Sequence, residues 1–186
     1  MASLIILFVI FLIGIWMIGV YNRLVRLRNR RQNAFADIDV QLRQRHDLIP
    51  QLVETVKGYA THERELLTKI TEARSSAMNA TTIDEKIKTE TQLSAALQGL
   101  KVAVEAYPDL KANQNFMQLQ EELSDIENKL AAARRFFNSA TTEYNTGIET
   151  FPANLIANSF GFRRETMFDL GQSRVEMEEP PKVSFS

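Results

Sequence analysis

The 186-residue chain has no cysteine, only two histidines and one tryptophan. The absence of cysteine excludes disulfides, thiolate chemistry, zinc-finger ligation and acylation of a lipoprotein-type Cys, and it leaves the redox compartment undetermined. The two histidines, His46 and His62, lie too far apart in sequence to make a local ligand pair. The seven glycines are scattered singly, so there is no Gly-rich phosphate loop, no Walker-type lysine and no Gly-flanked serine nucleophile. Charge of one sign is also missing: 22 Lys+Arg face 23 Asp+Glu, for a formal net charge of -1. Such a balance gives no global field to attract nucleic acid, and none is expected as a partner. Alternating period-two segments are absent from the middle of the chain, so a sheet has no candidate strands there.

Two near misses illustrate the lack of a chemical site. The run HEREL from His62 begins like the zinc-protease HExxH pattern, but Leu66 stands where the second imidazole is needed. A ferritin-like carboxylate centre needs Glu three residues before His, and neither histidine has it. The expectation is a non-enzymatic protein with no catalytic residue, cofactor or metal.

What the sequence does have is one long apolar run. From Leu4 to Val20 every residue is apolar or Gly. With Ala2, Ser3 and Tyr21 the segment reaches about 30 Å at ~1.5 Å per residue, the thickness of a hydrocarbon core. It lacks the basic start and small-x-small site of a cleaved signal, and bulky Trp16 and Met17 stand where processing needs small residues. Gly14 and Gly19 are five apart, which misses the GxxxG spacing of a dimerising span. Directly after it come Arg23, Arg26, Arg28, Arg30 and Arg31. The positive-inside rule then predicts a single-pass protein, N-out and C-in, with the bulk of the chain cytoplasmic. Trp16 and Tyr21 sit where amphipathic rings prefer the headgroup level, and with the five arginines they are the expected membrane-interface residues. The bilayer is thus the first expected partner, and the arginine collar can also hold anionic lipid.

Beyond the collar the apolar residues follow helical spacing. Phe35, Ile38, Leu42, Ile49, Leu52, Val56, Tyr59, Leu66, Ile70, Ala73 and Ala77 alternate threes and fours, with Arg45 and Glu63 filling two apolar slots. This phase predicts one helical path to about Asn79, kinked at Pro50 and weakened at Gly58, with a break at either as the alternative. Thr82 and Glu85 form a capping-box pattern ahead of a helix through Leu93, Leu97, Leu100 and Val104, expected to end at Tyr107. Phe116, Leu119, Leu123, Ile126, Leu130, Ala133, Phe137, Ala140 and Tyr144 carry a final helix, stopped by Phe151-Pro152. The expected fold is all-α: an N-terminal transmembrane helix continuing into a long antiparallel up-and-down, coiled-coil-like helical bundle. Its segments are a transmembrane anchor at 1–21, an Arg-rich juxtamembrane segment at 22–34, the bundle at 35–152, an apolar C-terminal arm at 153–170 and a flexible tail at 171–186.

Arg45, at an apolar slot, either fixes register by pairing with a carboxylate on another helix or marks where the seam opens to a partner. Glu63 raises the same question. Asp39, Arg43 and Asp47 belong to the densest polar face, with i,i+4 partners Asp39–Arg43 and Arg43–Asp47. Phe160, Phe162, Met167, Phe168 and Leu170 make the arm too apolar to float free, so it folds back on its own bundle or docks on a neighbour. Asp39, Arg43, Arg45, Asp47, Glu63, Phe160, Phe162 and Phe168 are therefore the candidate oligomer or partner interface.

Five stretches carry a family resemblance: YNRLVRLRN from Tyr21, DVQLRQRHDLIP from Asp39, VKGYATHE from Val56, and the closing YPDLKANQNF and EYNTGIETFP segments. In this order they resemble the LemA family of bacterial membrane-associated proteins, from the anchor to about Phe168. The resemblance implies an N-terminal span followed by an up-and-down helical bundle at the bacterial plasma (inner) membrane, and no established enzymatic activity, cofactor or metal. Some members of the family look like exported lipoproteins, whose modified Cys this chain lacks, so the Arg collar remains the guide to orientation. The leading functional expectation is a membrane-anchored scaffold that self-assembles into a homo-oligomer. The other is a monomeric adaptor or regulator that binds another membrane protein through its polar helix face.

Overall fold

The computed structural model describes residues 1–60 and 62–168. Leu170 of the apolar arm and the tail at 171–186 lie outside the described residues. The described chain is all helix and connection: α1 (Ala2–Lys57), α2 (Arg64–Asn79), α3 (Ile83–Val104), α4 (Pro108–Lys111), α5 (Gln114–Glu149) and α6 (Ala153–Ser159). No strand occurs among the described residues. The described residues divide into two compact units, one of residues 1–38 with 132–167 and one of residues 39–131 with 168. The span, the Arg-rich segment and most of the arm thus share a unit, while α1 and α5 each contribute to both.

In the first unit α1 and α5 run antiparallel. Phe35 meets Phe137 edge-on with ring centroids 5.5 Å apart, and further along Leu24 joins Tyr144, Ile148, Ala157 and Phe162 in a buried cluster. The helices approach closely at Gly147, where a Cβ would come within 2.7 Å of a Leu27 methyl. A glycine inside a helix costs propensity, and here it admits the Leu27 side chain.

The second unit is a bundle of the last turns of α1, with α2, α3 and the first turns of α5. Its core holds Ile49, Leu52, Val56, Leu67, Ile70, Leu93, Leu100, Leu110 and Phe116. The capping box is formed as the sequence requires: Glu85 N–H donates to Thr82 Oγ1 at 3.2 Å, and Thr82 N–H donates to the Glu85 carboxylate at 3.1 Å. Asn113 caps α5 by accepting the Phe116 N–H at 3.0 Å.

Two boundaries differ from the periodicity. The helical path breaks at Gly58, where α1 ends, and passes through Pro50. After the break Ala60 is buried and Tyr59 is exposed, and Leu67 takes the inward position ahead of Leu66. Ile70 and Ala77 are buried as the spacing expects, so the change of inward position is confined to the residues next to the break. α3 ends at Val104 rather than Tyr107, because Pro108 serves as the first residue of α4, where its missing N–H leaves no helical bond unmade.

Pro50 is tolerated for a specific reason. A proline leaves the carbonyl four residues before it without its helical donor. That carbonyl belongs to His46, and Arg74 Nε of α2 donates to it at 2.7 Å. A tertiary hydrogen bond replaces the helical one.

Candidate functional site

The densest chemistry of the second unit is an ion cluster inside the bundle. Arg45 on α1 is fully buried and Glu90 on α3 nearly so; the Arg45 guanidinium donates to the Glu90 carboxylate. Its second terminal nitrogen donates to Glu127 on α5 at 2.7 Å and to Ser94 Oγ on α3 at 3.1 Å. His46 Nε2 lies 2.6 Å from the other Glu90 oxygen. With Arg74 on the His46 carbonyl, four helices are tied through two consecutive α1 residues. Both terminal nitrogens of Arg45 are thereby matched, as burial of charge requires, while its Nε is buried with no hydrogen-bond partner.

Arg45 therefore follows the first of its two expected courses, pairing with a carboxylate on another helix. The sequence reading did not single out Glu90, although the signal was present: Glu90 stands three residues before Leu93 and continues the Leu93, Leu97, Leu100, Val104 spacing. An acid in one seam opposite a base in another is a pair. Asp39 at the edge of this unit pairs with Arg43 at 2.8 Å and also takes the Lys86 ammonium of α3. Burial alone would raise the Asp39 carboxyl, but the hydrogen bonds from Lys86 and Arg43 together outweigh it and hold it below its ordinary value. Asp47 is exposed, as is His62; Glu63 accepts the Tyr107 hydroxyl at 3.2 Å. Burial, then the neighbouring Glu63, pushes that phenol up.

In the first unit the collar divides into two sets. Arg23 and Arg26 are exposed. Arg30 pairs with Glu143 at 2.6 Å, and Arg28 lies over the Phe162 ring at 5.3 Å. Arg31 is buried: Nε donates to Thr141 Oγ1 at 3.2 Å, one terminal nitrogen to the Thr166 carbonyl at 3.1 Å, and the other meets Glu165 at 3.1 Å. Its guanidinium carbon stands 4.8 Å from the Phe137 ring centre. Arg31 is therefore withdrawn from the lipid-facing set by its own fold. The clue lay in spacing, since Arg31 is two heptads before Arg45 and in the same seam.

Arg31 also anchors the arm, which folds back on its own unit. Asn145 of α5 grips the backbone of Glu165 twice, donating to its carbonyl and accepting its N–H, both at 2.9 Å. The Tyr144 hydroxyl donates to the Arg163 carbonyl at 3.0 Å. Burial, then the charge of Glu165, raises the Tyr144 phenol above its ordinary value. Phe162 and Phe168 are buried, whereas Phe160 is exposed. Of the candidate interface residues, Arg45, Phe162 and Phe168 are enclosed within the chain; Arg43, Asp47 and Phe160 remain on the surface.

No group of three or more acidic, histidine or cysteine side chains among the described residues is arranged to hold a metal ion. Among the described residues one helix is long and apolar enough to cross a membrane, α1, and none of its apolar window is covered by the rest of the described chain. This agrees with a membrane location.

Among known proteins, the profile of the LemA family matches residues 34–185. Protein LemA of Metamycoplasma hominis is 31% identical over 179 residues, 93% of this chain and 81% of that protein. Magnetosome protein MamQ of Magnetospirillum gryphiswaldense is 22% identical over 80% of this chain and 64% of its own length. Magnetosome protein MamQ 2 of Paramagnetospirillum magneticum is 21% identical with the same coverage. The chain thus spans less than two thirds of these magnetosome proteins. A profile match over most of the length, joined to near-complete overlap with a relative of that name, leads to one conclusion: the chain belongs to the LemA family.

Proposed function

We propose that the protein is a non-enzymatic, membrane-anchored helical scaffold that self-assembles into a homo-oligomer in the bacterial plasma membrane, with its helical units on the cytoplasmic side. The observation that carries the anchorage is the bare apolar sleeve of α1, whose side chains from Leu4 to Ile13 are all largely exposed. In water such a surface far exceeds the apolar patch that a monomer tolerates; a bilayer covers it. The exposed Arg23 and Arg26 that follow support the cytoplasmic placement. Self-assembly is supported by further apolar side chains left on the surface, among them Val40, Val102, Met117 and Phe136. A structural rather than catalytic role is supported by the ion cluster, whose Arg45 and Glu90 are consumed by each other and closed to a substrate.

The deciding experiment is the mass of the full-length protein in mild detergent, corrected for bound detergent. A discrete multi-subunit mass supports the scaffold. A monomer that persists across concentration and in lipid rejects self-assembly. The second reading, a monomeric adaptor for another membrane protein, draws on the exposed Arg43 and Asp47 of the polar α1 face. Reversing both charges then abolishes partner capture without altering particle size.

A further inference from the structure

α6 and the residues flanking it present an uncharged surface. Residues 151–162, Phe-Pro-Ala-Asn-Leu-Ile-Ala-Asn-Ser-Phe-Gly-Phe, hold no charged side chain, in a protein where Asp, Glu, Lys and Arg make up 24%. Arg163 and Arg164 follow at once. Ile156 and Ala157 turn inward, while Phe151, Leu155 and Phe160 point out with 76%, 60% and 60% of their surface exposed. The outward side of the helix and its flanks thus carries three large apolar side chains beside the uncharged Asn158 and Ser159, and its own unit covers only the inward side.

The end of α6 makes this division definite. Gly161 adopts φ 73, the left-handed conformation that closes a Schellman motif. The Phe162 N–H donates to the Ala157 carbonyl at 3.0 Å, and Ala157 and Phe162 share the buried cluster. The turn sends Phe162 inward and leaves Phe160 outward.

The position of α6 supplies the occupant. Tyr21 ends the apolar sleeve of α1, and its ring lies 5.0 Å from Phe160 and 5.7 Å from Phe162. Val20, the residue before it, packs on the cluster that holds Ala157. The exposed face of α6 therefore continues the surface of the sleeve at the level where that sleeve ends, with the exposed Arg28 over the Phe162 ring and the exposed Arg163 next in the chain. An uncharged aromatic-aliphatic face, level with the end of a span and edged by arginine, matches the boundary between acyl chains and phosphate headgroups.

We propose that α6 is a second membrane contact, with Phe151, Leu155 and Phe160 seated in the headgroup–acyl boundary of the leaflet from which α1 emerges. The proposal rests on the reading of α1 as a span. Lipid is the occupant rather than a second copy, because the face is continuous with the sleeve and its edge carries cations suited to lipid phosphate. The contact fixes the first unit against the bilayer at two points, so that the unit is held against rotation about the α1 axis.

The test uses full-length protein in vesicles of phosphatidylcholine with one quarter phosphatidylglycerol. Trp16 is the only tryptophan and reports the span in the unaltered protein. Trp16→Phe combined with Phe160→Trp, or with Leu155→Trp, moves the reporter to α6 at an exposed position. Lipids brominated near the headgroup end of the chain are expected to quench both reporters several-fold, with iodide in the water having little effect. Lipid quenching of Trp16 together with iodide quenching of the α6 reporters overturns the proposal and leaves the span standing. Shielding of α6 from both quenchers, with Trp16 still quenched, also overturns it and assigns the face to a protein neighbour. A Trp16 that lipid fails to quench rejects the span itself.

Discussion

Arg45 and Arg31 show one residue type put to the same use in each unit. Each lies in an apolar seam, and each is surrounded by acceptors from other segments of its unit. Removing one member of a buried ion pair costs about 3–5 kcal/mol because the other is left charged and unpaired. Arg45→Met is therefore expected to lower unfolding free energy by roughly that amount. Adding Glu90→Leu to Arg45→Met should recover most of the loss, as measured by denaturant unfolding of both variants. A double variant no more stable than the single would show that His46 and Glu127 impose the burden instead. At the same scale, Asp39 and Glu85 carry carboxyls held below their ordinary values, the latter by the Thr82 and Thr81 backbone donors. A depressed folded value contributes stability that is complete above the unfolded value and fades as pH falls through the folded one. Helicity should hold down to about pH 4 and then decline, and Asp39→Asn should flatten the decline in a circular dichroism titration. The raised Tyr144 works in the opposite direction: its contribution is complete below about pH 10 and is lost as pH climbs through the raised value, releasing the arm from α5.

Among the elements, those whose signals are local were legible in the sequence. The Thr82–Glu85 box, the α5 seam and the stop before Pro152 each depend on residues within a turn or two of one another. Thr82→Ala should cost about 1 kcal/mol, read from thermal unfolding of the second unit. The break at Gly58 was ambiguous because the apolar spacing survives it almost intact, and it becomes visible only in the burial of Ala60 over Tyr59. The pairing of Glu90, and the burial of Arg31, which was expected at the membrane interface, escaped for a related reason. A lone charge on a helix usually faces water, and only the seam of another helix reveals that it does not. The close approach at Gly147 was equally invisible, since it depends on where Leu27 falls on α1. Gly147→Leu should destabilise the first unit by about 1–3 kcal/mol through overpacking. Gly147→Ala, with its gain in helix propensity, should be milder, and equal effects of the two would refute the close-packing account.

For the whole molecule, composition and pattern were enough for an all-helical chain of the LemA family with an apolar amino-terminal helix. They were not enough for the division into units. The arm was expected as a separate segment, yet Asn145, Tyr144 and Arg31 bind it into the unit that begins with the apolar sleeve. Those bonds reach backbone groups of the arm, and backbone acceptors leave no trace in side-chain spacing. Asn145→Ala should therefore open residues 163–167 to protease while the second unit stays intact, which limited proteolysis can follow. The proposed assembly belongs to this scale as well, and its subunit mass is the quantity to measure first.

The pairing of Pro50 with Arg74 reaches into descent. A proline there silences a donor, and the arginine supplies another from α2, so each residue has value mainly in the presence of the other. Pro50→Ala restores the helical donor and makes Arg74 dispensable, whereas Arg74→Met alone strands a carbonyl. The neutral route between the two states passes through loss of the proline first. Lineages that have lost the proline should show arginine drifting at the second position, and those that keep it should not.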